Sequence, residues 1–168
     1  MRSIFSFILA FLIGLLACEH FIQKEAKQFS LRMSRMDCLG PCPVYTLIID
    51  SGGRLEFEGI EFTEIKGKTE SRLTTEQIKS LSYEIQKSNF FSLENDYSYD
   101  SKNCQWIETD HSSAILTIQF NGNKKTINHY QGCIIENRFW ETSPLERLAE
   151  FEDKIDEIVE TKRWIGEV

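Results

Sequence analysis

The run Val44-Tyr45-Thr46-Leu47-Ile48-Ile49, followed by Asp50-Ser51-Gly52-Gly53 and then Arg54-Leu55-Glu56-Phe57-Glu58, commits this part of the chain to a β-hairpin. The first run is apolar on both faces and rich in β-branched residues, which is the pattern of a central strand. The glycines of the turn accept positive φ. The second run alternates, with Leu55 and Phe57 inward. Any fold for this chain has to supply a sheet around that hairpin.

Neighbouring segments carry the same period. Phe29, Leu31 and Met33 alternate with polar residues, so a first strand ends at the Cys38–Pro43 loop. Gly59 and Gly67 bracket a weaker fourth strand containing Ile60, Phe62 and Ile65. Farther on, Ala114, Leu116, Ile118 and Phe120 alternate, Asn121-Gly122 makes a hairpin turn, and Lys125, Ile127 and His129 mark one face of the returning strand. Two helices interrupt this pattern. Thr74 with Gln77, and Ser143 with Glu146, are capping boxes, and Pro144 suits a first helical position. Ile78, Leu81 and Ile85 recur at helical spacing in one helix, and Leu148, Phe151, Ile155, Ile158 and Val159 in the other, with Trp164 after it. Between Phe90-Phe91-Leu93 and the strand at Ala114, residues Glu94 to Asp110 read as a polar loop. The order β-β-β-β-α-β-β-α, joined by hairpins, predicts an α+β domain: an antiparallel sheet of about six strands packed against two helices.

Ahead of that domain stands a segment of another kind. Met1-Arg2-Ser3 is a short basic start, Ile4 to Leu16 is apolar, and Leu15-Leu16-Ala17-Cys18 ends it, immediately before the polar Glu19-His20. The apolar run is shorter than the roughly 20 residues a spanning helix needs and has the order of an export signal. It resembles the lipobox of bacterial lipoproteins, at Leu15, Ala17 and Cys18. That resemblance implies cleavage after residue 17 and a thioether diacylglycerol on Cys18, with a further acyl chain on its amine. Two or more chains anchor stably where one is marginal. Residues 1–17 are therefore read as a lipoprotein signal peptide, 18–27 as a lipidated tether and 28–168 as a single domain. The expected location is the cell envelope, at the surface of a bacterial membrane.

The chain has a formal net charge of −7, and loss of Arg2 with the signal makes it one unit more negative. Such a balance argues against nucleic acid as a partner. One domain's length of chain remains, enough for a self-sufficient core.

With Cys18 assigned to lipid, Cys38, Cys42, Cys104 and Cys133 remain. An even number in an exported chain reads as two disulfides, with three pairings open. A Cys38/Cys42 pair admits three chemistries. Gly40 and Pro41 allow a turn tight enough for a disulfide. A redox centre is poorly served, because thioredoxin-like sites place two spacers at a helix N-terminus, and here three lead into a strand. A zinc site with Cys104 and Cys133 would be a four-thiolate set, but exported thiols usually oxidise.

The run Cys38-Leu39-Gly40-Pro41-Cys42-Pro43-Val44-Tyr45 resembles the Cys-x-Gly-x-Cys-Pro-x-Tyr signature of a bacterial family, domain of unknown function 6438. The matching residues are Cys38, Gly40, Cys42, Pro43 and Tyr45, whereas Leu39 stands where that family often has an aromatic residue. The resemblance covers roughly residues 28–165. It implies a fold and an exported location, and no catalytic residues. It also makes Cys38–Cys42 the natural pair and leaves Cys104 and Cys133 for each other.

Catalytic patterns are thin. His20 lies in the tether, His111 follows Asp110 and precedes Ser112 and Ser113, and His129 lies in a strand beside Tyr130. Adjacency in sequence says nothing of triad geometry, so each histidine reads as an ordinary surface or half-buried residue, and no catalytic set is assigned. No phosphate loop or histidine metal spacing occurs, so no cofactor and no metal is expected. The loop Glu94-Asn95-Asp96-Tyr97-Ser98-Tyr99-Asp100 alternates acids and aromatics but lacks an EF-hand's glycine and final glutamate. It reads as a solvated loop whose tyrosines could serve a binding surface. Trp106, Trp140 and Trp164 read as packing residues.

The expected function is accordingly that of a membrane-anchored, non-catalytic binding module, with an envelope protein or glycan as partner. The alternatives are a thiol-disulfide or hydrolytic envelope enzyme, and a purely structural surface lipoprotein.

Overall fold

A computed structural model describes residues 28–135 and 142–166 of the chain. The strands are β1 (Phe29–Arg35), β2 (Val44–Asp50), β3 (Arg54–Glu61), β4 (Gly67–Arg72), β5 (Asp96–Tyr97), β6 (Trp106–Ile107), β7 (Ser113–Phe120), β8 (Asn123–Tyr130) and β9 (Cys133–Ile134). The helices are α1 (Thr75–Lys87), α2 (Pro144–Val159) and the short α3 (Lys162–Ile165). A single turn of 3-10 helix, Phe90–Ser92, follows α1.

Seven strands form the main sheet in the order β4-β3-β2-β1-β7-β8-β5, while β6 and β9 pair as a separate ribbon. Every pairing is antiparallel except that of β5 with β8. The domain is thus α+β, and its helices pack on one face of a mostly antiparallel sheet.

Local chemistry explains most element ends. Asp50 Oδ1 accepts from the amides of Gly52 at 2.8 Å and Arg54 at 3.2 Å, which closes the β2–β3 turn. Asn121 and Gly122 both have positive φ, the requirement of a two-residue type I′ turn. Both capping boxes form: Thr74 Oγ1 accepts from Gln77 N at 3.2 Å, and Ser143 Oγ from Glu146 N at 2.8 Å. The inward residues of β1, β2, β3, β7 and β8 make one core with Leu81 and Ile85 of α1 and Leu148, Phe151 and Ile155 of α2. Trp164 of α3 closes one end of it, stacked on Phe57 at 5.1 Å between ring centroids.

Two sequence expectations need correction. The fourth strand is not the Ile60–Ile65 stretch. β3 runs through Gly59 to Glu61, residues 62–66 turn, and β4 is Gly67–Arg72, with Ile60, Phe62 and Ile65 exposed. The turn folds back over Gly59, where a Cβ would collide with the Ile65 carbonyl. β4 escapes pattern reading because it is a charged edge strand, Lys68-Thr69-Glu70-Ser71-Arg72, and charge is how sheet edges avoid further pairing.

The second correction concerns Glu94 to Asp110, which is not wholly loop. It contributes β5, which makes the sheet seven strands wide, and β6, which pairs with β9. Two-residue strands are too short to show a period. Among the described residues, no helix is long and apolar enough to cross a membrane.

Candidate functional site

Arg35 occupies the next inward position of β1 after Phe29, Leu31 and Met33, so the strand period carries a guanidinium into the core face. α2 meets it with carboxylates one turn apart. Arg35 Nη1 donates to Glu152 Oε2 at 3.3 Å, and Nη2 donates to Asp156 Oδ2 and to Asp153 Oδ1, both at 2.9 Å. Tyr45, at the start of β2, donates its hydroxyl to Asp156 Oδ1 at 2.6 Å. His129 of β8 completes the group, with Nδ1 at 3.0 Å from Glu152 Oε1.

Burial disfavours charge on Arg35, but Asp156 and Glu152 outweigh it and hold the guanidinium more firmly protonated than a free one. Burial, and then the Asp156 charge, push the Tyr45 hydroxyl well above the usual phenol range. Burial also raises the Asp156 carboxyl, against the pull of Arg35 and the Tyr45 hydroxyl. Among the described residues no buried side-chain nitrogen or oxygen lacks a hydrogen-bond partner. The cluster therefore rivets β1, β2 and β8 to α2, with its buried polar atoms hydrogen-bonded to one another.

Two clefts flank this rivet. One, of about 490 Å³, opens beside Tyr45, Asp156, Thr161 and Ile165 at the C-terminal end of α2. The other, of about 150 Å³, lies between the β8–β9 turn and the start of α2, lined by His129, Gln131, Cys133, Ile134, Ser143 and Glu146 among others.

The Cys38–Tyr45 run joins the same construction. Cys38 and Cys42 are disulfide-bonded, with Cα atoms 5.8 Å apart. Gly40 lies between them at φ 155°, and its amide donates to the Cys38 carbonyl at 2.9 Å. Leu39 projects from this loop, 81% exposed. Two residues past Pro43, Tyr45 enters the rivet. A second disulfide joins Cys104 to Cys133, Cα atoms 5.2 Å apart, and ties the segment before β6 to β9. The family model described as "Domain of unknown function (DUF6438)" matches residues 29–159. The chain belongs to this family. No curated protein matches it.

In this DUF6438 domain the remaining candidate residues are dispersed. Cys18, His20 and Trp140 lie outside the described residues. His111 stands at the surface, with Nε2 3.5 Å from Glu108 Oε2, while Ser112 Oγ donates to Gln131 Oε1 at 2.6 Å. Among the described residues no hydrogen bond joins the His111 ring to Ser112 or Ser113, so sequence neighbours do not form a triad. In the acidic loop Tyr97 packs into the core and Tyr99 is exposed. Asp96 accepts from the Ser98 amide at 3.2 Å, and hydrogen bonding from Ser98 holds its carboxyl below the usual range. No group of three metal-type side chains occurs among the described residues. Trp164 is a packing residue as expected, but Trp106 is not: it is 49% exposed on β6.

The largest departure is His129, read from sequence as an ordinary surface or half-buried residue and here 3% exposed, with its Nδ1 on a buried carboxylate. Sequence reasoning also passed over Arg35, Glu152 and Asp156. One signal was available. Arg35 continues the Phe29, Leu31, Met33 alternation, and Glu152 and Asp156 stand at i, i+4 along the margin of the Leu148–Phe151–Ile155 stripe.

Proposed function

We propose that the chain is an exported envelope lipoprotein, anchored through Cys18, whose DUF6438 domain is a non-catalytic binding module. Residues 1–17 direct export and 18–27 tether the domain to the membrane. The observation that carries the reading is the internal satisfaction of the Arg35–Asp156–Tyr45–Glu152 cluster, which uses its charges to hold strands to a helix. Two further features support it. Both cysteine pairs are closed as disulfides, and apolar side chains stand at the surface at Leu39, Phe62 and Trp106. The partner is another component of the envelope, a protein or a glycan, met at this exposed surface.

Crosslinking in intact cells tests the proposal. Photoreactive residues placed singly at Leu39, Phe62 and Trp106 should give a discrete adduct from at least one position, and membrane fractions should retain the chain. Absence of adducts at all three positions would overturn the binding reading. Rapid labelling of Cys38 or Cys42 in the purified domain under a mild thiol buffer would favour the thiol-disulfide enzyme instead.

A further inference from the structure

His129 has one ring nitrogen engaged and one open. Glu152 Oε1 lies 3.0 Å from Nδ1, and the same carboxyl group accepts from Arg35 through Oε2. The open ring nitrogen is Nε2. That atom has no hydrogen-bond partner among the described residues. Since none of their buried side-chain nitrogens is left unpartnered, Nε2 has to reach an accessible surface, and the surface His129 lines is the cleft of about 150 Å³. A nearly buried imidazole, oriented from behind by a carboxyl group, thus offers a single fixed ring nitrogen to whatever enters.

The surroundings of the cleft suit one ligand chemistry. Gln131, two residues on, lines the same cleft, and its Oε1 is taken by Ser112 Oγ, which leaves the amide N–H groups as donors. Beside them the rim of the cleft is apolar. Ile134, 37% exposed, lines the cleft and is the direct cross-strand partner of Trp106. Directly opposed residues share a face of a ribbon, with Cβ atoms about 5 Å apart. The ribbon is fixed by the Cys104–Cys133 disulfide and by the hydrogen bond from Glu108 N to Gly132 O at 2.8 Å. Gly132 is needed for that approach, since a Cβ there would collide with the Glu108 carbonyl. The cross-linked ribbon offers aromatic area next to the cleft at little entropy cost.

We infer that the cleft between β8, β9 and the start of α2 binds a neutral glycan, with His129 Nε2 and the Gln131 amide meeting adjacent hydroxyls and Trp106 stacking on a sugar ring. A vicinal diol supplies both a donor and an acceptor. The C–H face of a pyranose is apolar and weakly positive, which matches the negative face of an indole. The acidic net charge disfavours an anionic polysaccharide. The inference rests on the binding-module reading and names its ligand class.

Titration of the purified domain with the N-acetylglucosamine tetramer, and separately with maltotetraose, tests it by ¹⁵N NMR of the histidine and indole nitrogens. At least one oligosaccharide should shift His129 Nε2 and the Trp106 indole, with a Kd of about 1 mM or tighter. Trp106→Ala and Gln131→Ala, both at accessible positions, should weaken binding by about tenfold while leaving the amide spectrum folded. No shift at His129 Nε2 with either sugar, or unchanged affinity in both variants, overturns the glycan site. If envelope crosslinks persist in cells while neither sugar binds, the glycan inference fails and the binding-module reading stands. If a sugar binds in vitro while the three crosslinking positions give no adduct, the failure lies in the broader reading of the envelope partner.

Discussion

Arg35 and Asp156, 121 positions apart in the chain, meet through two hydrogen bonds to one carboxylate oxygen, from Nη2 at 2.9 Å and from Nε at 3.2 Å. The same carboxylate accepts the Tyr45 hydroxyl on its other oxygen. Tyr45 is therefore fixed by an aspartate 111 positions later in the chain. The Cys38–Tyr45 run works as part of the fold's closure: its cysteines set the entry of β2, and its tyrosine receives α2.

Replacing Arg35 by Ala strands Glu152 and Asp156 without their cation, and breaking a buried ion pair on one side costs about 3–5 kcal/mol. Urea unfolding should show a loss of that order. The penalty should also depend on pH. Burial already raises the Asp156 carboxyl, and removing Arg35 takes away the cation that opposes that shift. A carboxyl whose folded value exceeds its unfolded value adds stability in acid and loses it as pH rises through the folded value. The variant should lie closer to the parent at about pH 5 than at about pH 8. An equal gap at both would show that the carboxylates are not the source of the penalty.

Phe151 of α2 is buried, with its ring edge-on to Phe90 at 6.4 Å. Phe151→Ala should cost about 3–5 kcal/mol through lost burial and a residual cavity. A change below about 1 kcal/mol in denaturant unfolding would mean that α2 presents another face to the sheet.

Elements with a long period or a specific turn were legible in the sequence. β2 and β3 around Asp50-Ser51-Gly52-Gly53, β7 and β8 around Asn121-Gly122, and both helices with their capping boxes stand where pattern and chemistry put them. β4 was displaced because its charged edge sequence has no apolar period, and Ile60, Phe62 and Ile65 suggested a strand where the chain turns. β5 and β6 are two residues each and depend on tertiary pairing. The Arg35 cluster was hidden for a related reason. A buried charge is an exception to the apolar rule, and only the register that places Arg35, Tyr45 and His129 on one face shows that α2 compensates it.

Mass spectrometry of the mature protein purified from membranes should find Cys18 as the first residue, carrying a diacylglycerol and an acyl chain. The Leu15-Leu16-Ala17-Cys18 run motivates this expectation. Each buried CH₂ contributes about 0.8 kcal/mol, so a Cys18→Ser chain without its lipids should leave the membrane fraction. Retention of that variant in membranes would point to an uncleaved apolar segment as the anchor.

The two disulfides should differ in what they contribute. Cys38–Cys42 closes a loop separated by 4 positions, and Cys104–Cys133 one separated by 29. The chain-entropy model assigns roughly 2 kcal/mol to the short loop and roughly 3.6 kcal/mol to the long one. The double Ser variant at 38 and 42 should therefore fold with a modest loss, which tightens the view of that pair as a clasp on the entry to β2. The double Ser variant at 104 and 133 should lose more, and because it also frees the β6–β9 ribbon, protease cleavage between residues 98 and 110 should quicken. Non-reducing peptide mapping fixes the pairing independently. Recovery of Cys38 linked to Cys104 or Cys133 would contradict the structure, and equal losses in the two variants would show that loop length does not set their contributions.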